Sequence, residues 1–320
     1  MSGLGRGLHE ALITQALEAQ LRELDARLEA RRQILRPAEV PDRFAMHLGR
    51  IVARALSSVP DERRIDAGLG LAKKILETIE ATVEETDVLR EQPVEPASLL
   101  RAVLRRRPDG TPEPLGEPLI PLLDTALLTN APGEPRVGNQ VLAEIDSADR
   151  IDVVMAFIRW TGIRPLLDAL RRHTENGLPL RVLTTTYTGS TEARALDELA
   201  KLGADVRVSY DTSTTRLHAK AWLFHRSSGY STAYVGSSNL THSAQVSGLE
   251  WNVRVSGARN PDVVDKVAAV FESYWNAGDF RPYDADEFRR EIGPDPGSSR
   301  SKLPALELRP EPFQERLLEQ

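Results

Sequence analysis

The sequence contains no cysteine among its 320 residues. Disulfide bonds and thiolate-ligated metal sites are therefore excluded, and any metal ion would depend on carboxylates and histidines. Aromatic residues make up only 5% of the chain, and no basic amphipathic helix or aromatic cluster suggests a lipid surface. No apolar run approaches the roughly 18 residues that a membrane helix requires. Since the N-terminal region also lacks an apolar signal core, we expect a cytoplasmic protein that does not contact a membrane.

An excess of positive charge is missing as well. The formal net charge is −6, and much of the surplus acid lies in residues 261–320, which carry 13 acidic and 8 basic residues. A protein that coats nucleic acid by bulk electrostatics is thereby excluded, whereas a local binding site is not. No Gly-x-x-x-x-Gly-Lys-[Ser/Thr] sequence occurs, so we do not expect this chain to bind ATP as a helicase does.

The first hundred residues show helical spacing of apolar side chains. The pattern predicts one long amphipathic helix over residues 8–35, a second that begins near Pro41, a third that begins near Pro60, and a shorter one over residues 98–107. We expect the second helix to bury its apolar face, which carries Phe44, Leu48, Ile51, Val52 and Leu56. Residues 1–107 are therefore predicted to form an all-α domain.

A change of composition follows this helical region. Residues 108–121 contain five prolines and two glycines, a composition that sustains neither a helix nor a central strand, and we interpret them as a linker. Strand and helix patterns then alternate over residues 122–280, which predicts an α/β domain with a sheet covered on both faces. The predicted elements include strands over residues 180–185, 205–209 and 249–255 and a helix over residues 192–202. Residues 281–320 read as a loose acidic linker. Residues 308–320 at its end resemble the segment with Pro-x-x-Phe-Gln that opens helicase ATPase domains, and an amphipathic tail helix is the alternative.

The chemistry is concentrated in residues 216–255. His218 and Lys220 are two residues apart, so on the strand predicted for residues 216–224 both side chains leave the same face. Gly236-Ser237-Ser238-Asn239 closes the next strand and is expected to open a short helix. Backbone N–H groups and small polar side chains at such a point can hold an anion. The pattern therefore predicts a phosphate site next to an imidazole.

These residues resemble the signature of the phospholipase D superfamily, which combines His-x-Lys, a downstream Asp and Gly-Ser-x-Asn. The family's Asp position holds His225 here, but Glu250 stands eleven residues beyond Asn239, where the nuclease branch carries a histidine-orienting carboxylate. The motif and its flanking residues are similar to those of phospholipase D-like domains that precede bacterial superfamily II helicases. The resemblance covers roughly residues 118–275. It implies a three-layer αβα sandwich with a mixed sheet, behind the all-α domain.

The resemblance also implies an activity and its residues. These are His218 as the nucleophile, Lys220 and Asn239 as catalytic cation and donor, Glu250 as the orienting acid, and Gly236, Ser237 and Ser238 as substrate contacts. The expected enzyme is a nuclease, a phosphodiesterase that forms a phosphohistidine and needs no metal or other cofactor. We expect DNA rather than RNA as its substrate, and a helicase motor C-terminal to this chain as a possible partner. The alternatives are a phospholipid head-group hydrolase and an inactive module that only binds nucleic acid.

This mechanism requires two imidazoles on opposite sides of one phosphorus, and His-x-Lys occurs only once in the chain. Relatives with a single copy pair it across a two-fold axis, so the resemblance implies a homodimer through the catalytic domain. In the alternative arrangement, His225 or His242 of the same chain supplies the second imidazole and the protein acts as a monomer.

Overall fold

The computed structural model describes residues 4–83, 87–131, 134, 136–187, 189–211, 217–241 and 250–292. The chain forms two compact units, residues 1–103 and residues 104–320, of which the first is mainly helical and the second is an α/β domain. Among the helices of these ranges, none has the length and apolar composition that crossing a membrane requires.

In the first unit the described residues form three α-helices, α1 (Gln15–Arg22), α2 (Val40–Ser57) and α3 (Asp61–Thr82), with 3₁₀ turns at Pro37–Glu39 and Val88–Glu91. Thr14 caps α1 by accepting a hydrogen bond from the amide of Leu17 at 3.2 Å. No residue of α2 is buried, and the predicted inner side chain of Leu48 is 55% exposed. The expectation that α2 buries its apolar face is therefore wrong within this unit.

Two predicted helices of this unit are also wrong in extent. The helix over residues 8–35 is reduced to α1, because a single amphipathic helix with no surface to pack against is marginal in water. Asp25 illustrates the competing local bonds, since it accepts from the amide of Arg27 at 2.9 Å beyond the end of α1. Residues 98–107 form no helix, and the side chains of Leu99 and Leu100 are 82% and 85% exposed.

The second unit is built on one mixed sheet of eight strands, in the order β1-β7-β6-β5-β2-β3-β4-β8. The pairs β2·β3 and β3·β4 are parallel and the other pairs are antiparallel. The strands are β1 (Ala126–Leu128), β2 (Arg150–Met155), β3 (Leu180–Thr185), β4 (Asp205–Ser209), β5 (Lys220–His225), β6 (Thr232–Gly236), β7 (Asn252–Ser256) and β8 (Phe280–Pro282).

Helices cover both faces of the sheet. The described residues of this unit form the helices α4 (Val137–Ser147), α5 (Trp160–Ile163), α6 (Leu167–Glu175), α7 (Ala193–Lys201), α8 (Pro261–Trp275) and α9 (Ala285–Ile292), with a 3₁₀ turn at Arg164–Leu166. The main core joins α4, α6, α7 and α9 to one face of the sheet, while α8 packs on the other through Phe271 and Trp275. The predicted three-layer αβα sandwich with a mixed sheet, preceded by a helical region, is confirmed.

Buried ion pairs hold α4 on the sheet. Glu144 of α4 accepts hydrogen bonds from Arg254 of β7 at 2.8 Å and from Arg226 at 2.5 Å. Tyr234 and Thr232 of β6 donate to the same carboxylate at 2.9 and 2.8 Å. Burial raises the pKa of Glu144, but the two guanidinium groups outweigh it and bring the pKa below the ordinary value. A charged carboxylate thus crosslinks α4 to two strands.

The described elements differ from the predicted ones at several boundaries. The strand predicted for residues 216–224 begins only at Lys220, because its neighbour β2 ends at the paired residue Met155. The strand predicted for residues 249–255 begins only at Asn252, because its neighbour β6 ends at the paired residue Gly236. Residues 281–292 are not a loose linker, since Phe288 of α9 is fully buried. The predicted short helix after Asn239 and the helicase-like end fall largely or wholly outside the described residues.

Candidate active site

The sequence motif converges at one edge of the sheet. The end of β2 pairs with the start of β5 through Met155 and Lys220, and the end of β6 pairs with the start of β7 through Gly236 and Asn252. Ala221 of β5 lies opposite Val235 of β6, so all four strand ends meet at the same place. Side chains from segments more than thirty residues apart in sequence can therefore act on one ligand.

Lys220 is the buried cation of this edge. It is the first residue of β5, its side chain is 8% exposed, and its Nζ donates to the backbone carbonyl of His218 at 2.6 Å. Burial lowers the pKa of Lys220 from its ordinary 10.5, and the negative charge of Glu250 opposes that effect. A lysine in this setting is a desolvated charge held at a known position, as phosphate binding requires.

His218 lies just before β5 and is exposed. The prediction that His218 and Lys220 lie on one strand is therefore wrong, since β5 begins at Lys220. The lysine instead contacts the carbonyl of His218, which ties the backbone of the histidine to the site. Within the described part of the chain, no group is hydrogen-bonded to the imidazole, so the ring is open to solvent and to a substrate.

The Gly-Ser-Ser-Asn segment is packed against β7. A Cβ atom at Gly236 would lie 2.2 Å from the carbonyl oxygen of Trp251, so only glycine fits there. The amide of Ser237 donates to that same carbonyl at 3.0 Å, and the hydroxyl of Ser237 accepts from the amide of Trp251 at 3.1 Å. Ser238 is buried and accepts from Nδ2 of Asn252 at 2.7 Å. These contacts fix the backbone of the segment.

Asn239 and Glu250 complete the predicted set. Oδ1 of Asn239 accepts from the amide of Phe157, just beyond β2, at 3.3 Å. The carboxylate of Glu250 accepts a short hydrogen bond from the hydroxyl of Ser237. The structure thus brings Glu250 to Ser237 and into the electrostatic range of Lys220, but not into hydrogen-bond contact with His218. Its predicted orienting role stays a prediction.

A small cavity marks where these side chains meet. Its polar lining consists of Lys220, Ser238, Asn239 and Asn252, and its other walls are largely apolar, from Val137, Val141, Met155, Trp222, Tyr234 and Leu240. Sequence reasoning missed Asn252, which is 4% exposed and orients Ser238. Its signal is its place at the start of β7, two residues after Glu250 and opposite Gly236. The cavity offers donors for the oxygens of an anion.

His225 lies at the opposite end of β5 from Lys220. Five residues of a strand span roughly 16 Å, so this imidazole cannot reach the phosphate site. Its Nε2 lies 2.7 Å from Oδ2 of Asp152, a buried residue of β2 that also binds Arg181 at 2.7 Å. Burial raises the pKa of Asp152, but the hydrogen bonds from His225 and Arg181 bring it below the ordinary value.

The other histidines that the structure places in this unit do not contribute either. His173 is buried at the end of α6, with Nε2 lying 3.0 Å from the carbonyl of Pro179. Burial lowers the pKa of His173, so the ring favours the neutral form. His242, the remaining alternative within one chain, lies outside the described residues.

Comparisons with known proteins agree with the motif. The profile of the family described as "Cardiolipin synthase, PLD-like domain" matches residues 141–275, which include every candidate site residue. No match was found among curated protein sequences.

Three solved structures illustrate the similarity. Nuc from Salmonella typhimurium, a phospholipase D family member, is 21% identical over 50% of this chain and 99% of its own, with a TM-score of 0.39. NucT from Helicobacter pylori is 12% identical over 50% and 99%, with a TM-score of 0.39. Phosphatidylserine synthase of Haemophilus influenzae Rd KW20 is 13% identical over 61% and 44%, with a TM-score of 0.37. Residues 141–275 thus carry both a phospholipase D-like family profile and the motif of that superfamily.

Proposed function

We propose that the protein is a nuclease, a phosphodiesterase that cleaves nucleic acid without a metal ion and through a phosphohistidine. The observation that carries the proposal is the convergence of Lys220 and Asn239 on one cavity, with the backbone of His218 bound to the lysine. A buried cation and an amide can stabilise the charge on two non-bridging oxygens of a phosphodiester. The exposed imidazole of His218 is then next to the phosphorus and free to attack it.

The reaction proceeds in two displacements. In the first, a ring nitrogen of His218 forms a bond to phosphorus while the bond to the leaving oxygen breaks, and a second imidazole donates its proton to that oxygen. In the second, the same imidazole takes a proton from water, whose oxygen attacks phosphorus and breaks the nitrogen–phosphorus bond. Lys220, Asn239 and Ser237 stabilise the charge of both transition states. No step depends on a cofactor.

We propose that the second imidazole is His218 of another copy of this chain. His225 is roughly 16 Å along the strand from Lys220, and His173 is held in a structural contact, so neither described histidine of this domain serves. A two-fold axis next to the site would place two copies of His218 on opposite sides of one phosphate. The homodimer is thus the arrangement that completes the chemistry.

A phospholipid head-group hydrolase is the second candidate, favoured by the match to a family described as a cardiolipin synthase domain. A third reading, a module that binds nucleic acid without cutting it, is disfavoured because His218, Lys220, Asn239 and Glu250 are all present. Association with a helicase motor rests only on two resemblances, that of the motif with its flanking residues and that of residues 308–320.

The experiment compares a panel of labelled single- and double-stranded DNA and RNA with a phosphatidylcholine vesicle. We expect cleavage of nucleic acid by the wild type in excess EDTA and none by His218→Ala, with His47→Ala as a matched control that keeps full activity. Acid quench during turnover should trap phosphate on His218. Cleavage that requires added Mg²⁺, or activity on the vesicle alone, would reject the proposal.

A further inference from the structure

A group of exposed arginines lies directly beyond the candidate site, after the end of β2. We define the arginine surface as Arg159, Arg164 and Arg194 together with Trp160. The three arginines are exposed and Trp160 is half-buried. None of these residues belongs to the motif or takes part in the proposed chemistry, so their role requires a separate explanation.

The backbone of this surface is fixed to the site by three contacts. Phe157 donates its amide to Oδ1 of Asn239, and Arg159, two residues later, donates its amide to the carbonyl of Leu240 at 2.9 Å. Ile158, between them, bridges to Leu240. At Gly162 a Cβ atom would lie 2.0 Å from the carbonyl oxygen of Leu240, so the turn of α5 lies directly against the Gly-Ser-Ser-Asn segment. The distance from Asn239 to Arg159 is therefore short and constant.

The guanidinium of Arg194 is already oriented. It lies over the ring of Trp160, with 3.9 Å between Cζ and the ring centroid. An arginine stacked on an aromatic ring loses less conformational freedom on binding and keeps its N–H edges for a ligand. The fork of such an edge matches two oxygens of a phosphate.

The nearby acidic residues have hydrogen-bond or ion-pair partners other than the three arginines. Glu192 accepts from the amide of Trp160 at 2.7 Å, and Glu198 is paired with Lys201 at 2.7 Å. Asp168 is paired with Arg171 at 3.1 Å. Considering only residues that the structure describes, no carboxylate forms an ion pair with Arg159, Arg164 or Arg194. The arginine surface therefore presents three guanidinium groups outside ion pairs, with only the longer-range charge of Glu198 acting on Arg194, on a protein whose net charge is −6.

From these contacts we infer that the arginine surface binds a nucleic-acid strand through the phosphates that neighbour its scissile phosphate. The inference rests on the proposed nuclease function and adds a binding site to it. A strand whose scissile phosphate occupies the cavity must continue past its walls, and Arg159 lies four residues beyond Met155, the lining residue at the end of β2. Arg194 and Arg164 extend the same positive surface to the N-terminus of α7 and the end of α5. The surface holds the strand and does not touch the reacting atoms.

The experiment uses the full chain with both Arg159 and Arg194 changed to Ala. We expect the affinity for a labelled single-stranded 12-mer, measured by fluorescence anisotropy, to fall by about 10-fold at low salt. The slope of log affinity against log salt should decrease in magnitude by about 0.7 for each phosphate that the protein no longer neutralises. Activity on bis(p-nitrophenyl) phosphate, which fills only the cavity, should stay unchanged.

Two further variants test the interpretation. Arg194→Lys keeps the charge but loses the planar stacked fork, so it should bind with intermediate affinity. Arg259→Ala is the matched control, because Arg259 is exposed and lies in the turn between β7 and α8, at the other end of β7 from Asn252. We expect this control to bind the 12-mer as the wild type does.

The outcomes separate the surface from the catalytic proposal. If the double variant binds the 12-mer with unchanged affinity and salt slope, or if the wild type does not bind it, the inference is wrong. It is also wrong if activity on the small diester falls together with the affinity for the 12-mer, because that result indicates a structural role. Impaired binding of anionic vesicles alone would reject it as well. Arginine-dependent binding by a wild type that cleaves nothing would support the surface and reject the nuclease proposal. DNA and RNA versions of the 12-mer identify the preferred strand.

Discussion

Glu250 shows how a single side chain can serve either of two roles. Its carboxylate is bound to the hydroxyl of Ser237, while the resemblance assigns it to the imidazole of His218. In the first role it positions a group that contacts substrate, and in the second it fixes the tautomer of the nucleophile. Both roles are compatible with its position just before β7, and kinetics can distinguish them.

If Glu250 orients His218, we expect Glu250→Gln to fold normally and to lower kcat by about 10²- to 10⁴-fold, as does the loss of a tautomer-fixing acid. Ser237→Ala removes the observed partner of the carboxylate and serves as the comparison. A much smaller loss in Ser237→Ala would support the orienting role. Equal losses in the two variants would instead show that Glu250 acts through Ser237.

The ammonium group of Lys220 gives a prediction on pH. Because burial lowers its pKa below 10.5, we expect the catalytically required cation to lose its proton, and kcat/KM to fall, at a pH below 10.5. Lys220→Arg stays protonated, so its alkaline limb should move to higher pH or disappear. Glu250→Gln removes the charge that opposes the shift, and its limb should move to lower pH. An alkaline limb that is the same in all three proteins would contradict the assignment.

At the scale of elements, the position of α4 depends on one buried carboxylate. Glu144 and Arg254 are both inaccessible to solvent, and Arg226 is nearly so. Replacing Glu144 would leave two buried guanidinium groups unpaired. We therefore expect its replacement to lower the free energy of unfolding considerably. The same helix supplies Val137 and Val141 to the cavity, so its attachment to β6 and β7 also shapes the candidate site.

We therefore expect Glu144→Gln to lower the free energy of unfolding of the second unit by about 3–5 kcal/mol in urea titrations. Glu272→Gln is the matched control, since that carboxylate is 44% exposed in its pair with Arg181, and it should cost at most about 1 kcal/mol. The pKa of Glu144 is lower in the folded state than its ordinary 4.5. Its contribution is thus present above pH 4.5 and lost as the pH falls through the folded value. A Gln variant with wild-type stability and acid sensitivity would contradict this account.

At the scale of the whole molecule, an exposed apolar face adjoins the site. Val253 of β7 lies opposite both Leu127 of β1 and Val235 of β6, and the three side chains are 40%, 48% and 42% exposed. Trp251, two residues before Val253, is 68% exposed and immediately follows Glu250. Contiguous apolar side chains at a surface are typical of protein interfaces. We expect this face to be where two copies meet around the shared phosphate.

The absence of cysteine makes this prediction easy to test. Val253→Cys introduces a single thiol, and because a two-fold interface places the same surface of each copy in contact, oxidation or a short bis-maleimide should crosslink two chains. Tyr230→Cys, 41% exposed in the hairpin at the other end of β6, is the matched control and should stay monomeric on a non-reducing gel. An active species with a monomeric mass in light scattering would contradict the shared site.

Much of the α/β domain follows from the sequence alone. β3 and β4 match their predicted bounds to the residue, and α7 is one residue shorter at each end than predicted. These elements are buried, so their apolar periodicity is a direct consequence of their packing. The motif itself was readable because its residue types and spacing are chemically specific. The short edge strands β1 and β8 were not predicted, since three residues carry no period.

Only the tertiary structure decided which residues that are distant in sequence contact each other. Periodicity indicates that a segment could be an amphipathic helix but not whether a surface exists to cover it, and the predicted helices over residues 8–35 and 98–107 are wrong for that reason. The start of β5 at Lys220 depends on where its neighbours β2 and β6 end. Three contacts join residues whose spacing in sequence carries no signal. They are those of His225 with Asp152, of Glu250 with Ser237, and of Arg194 with Trp160. The sequence by itself therefore determined the motif and the class of fold, whereas packing decided which side chains share the site, because contact depends on strand order and register.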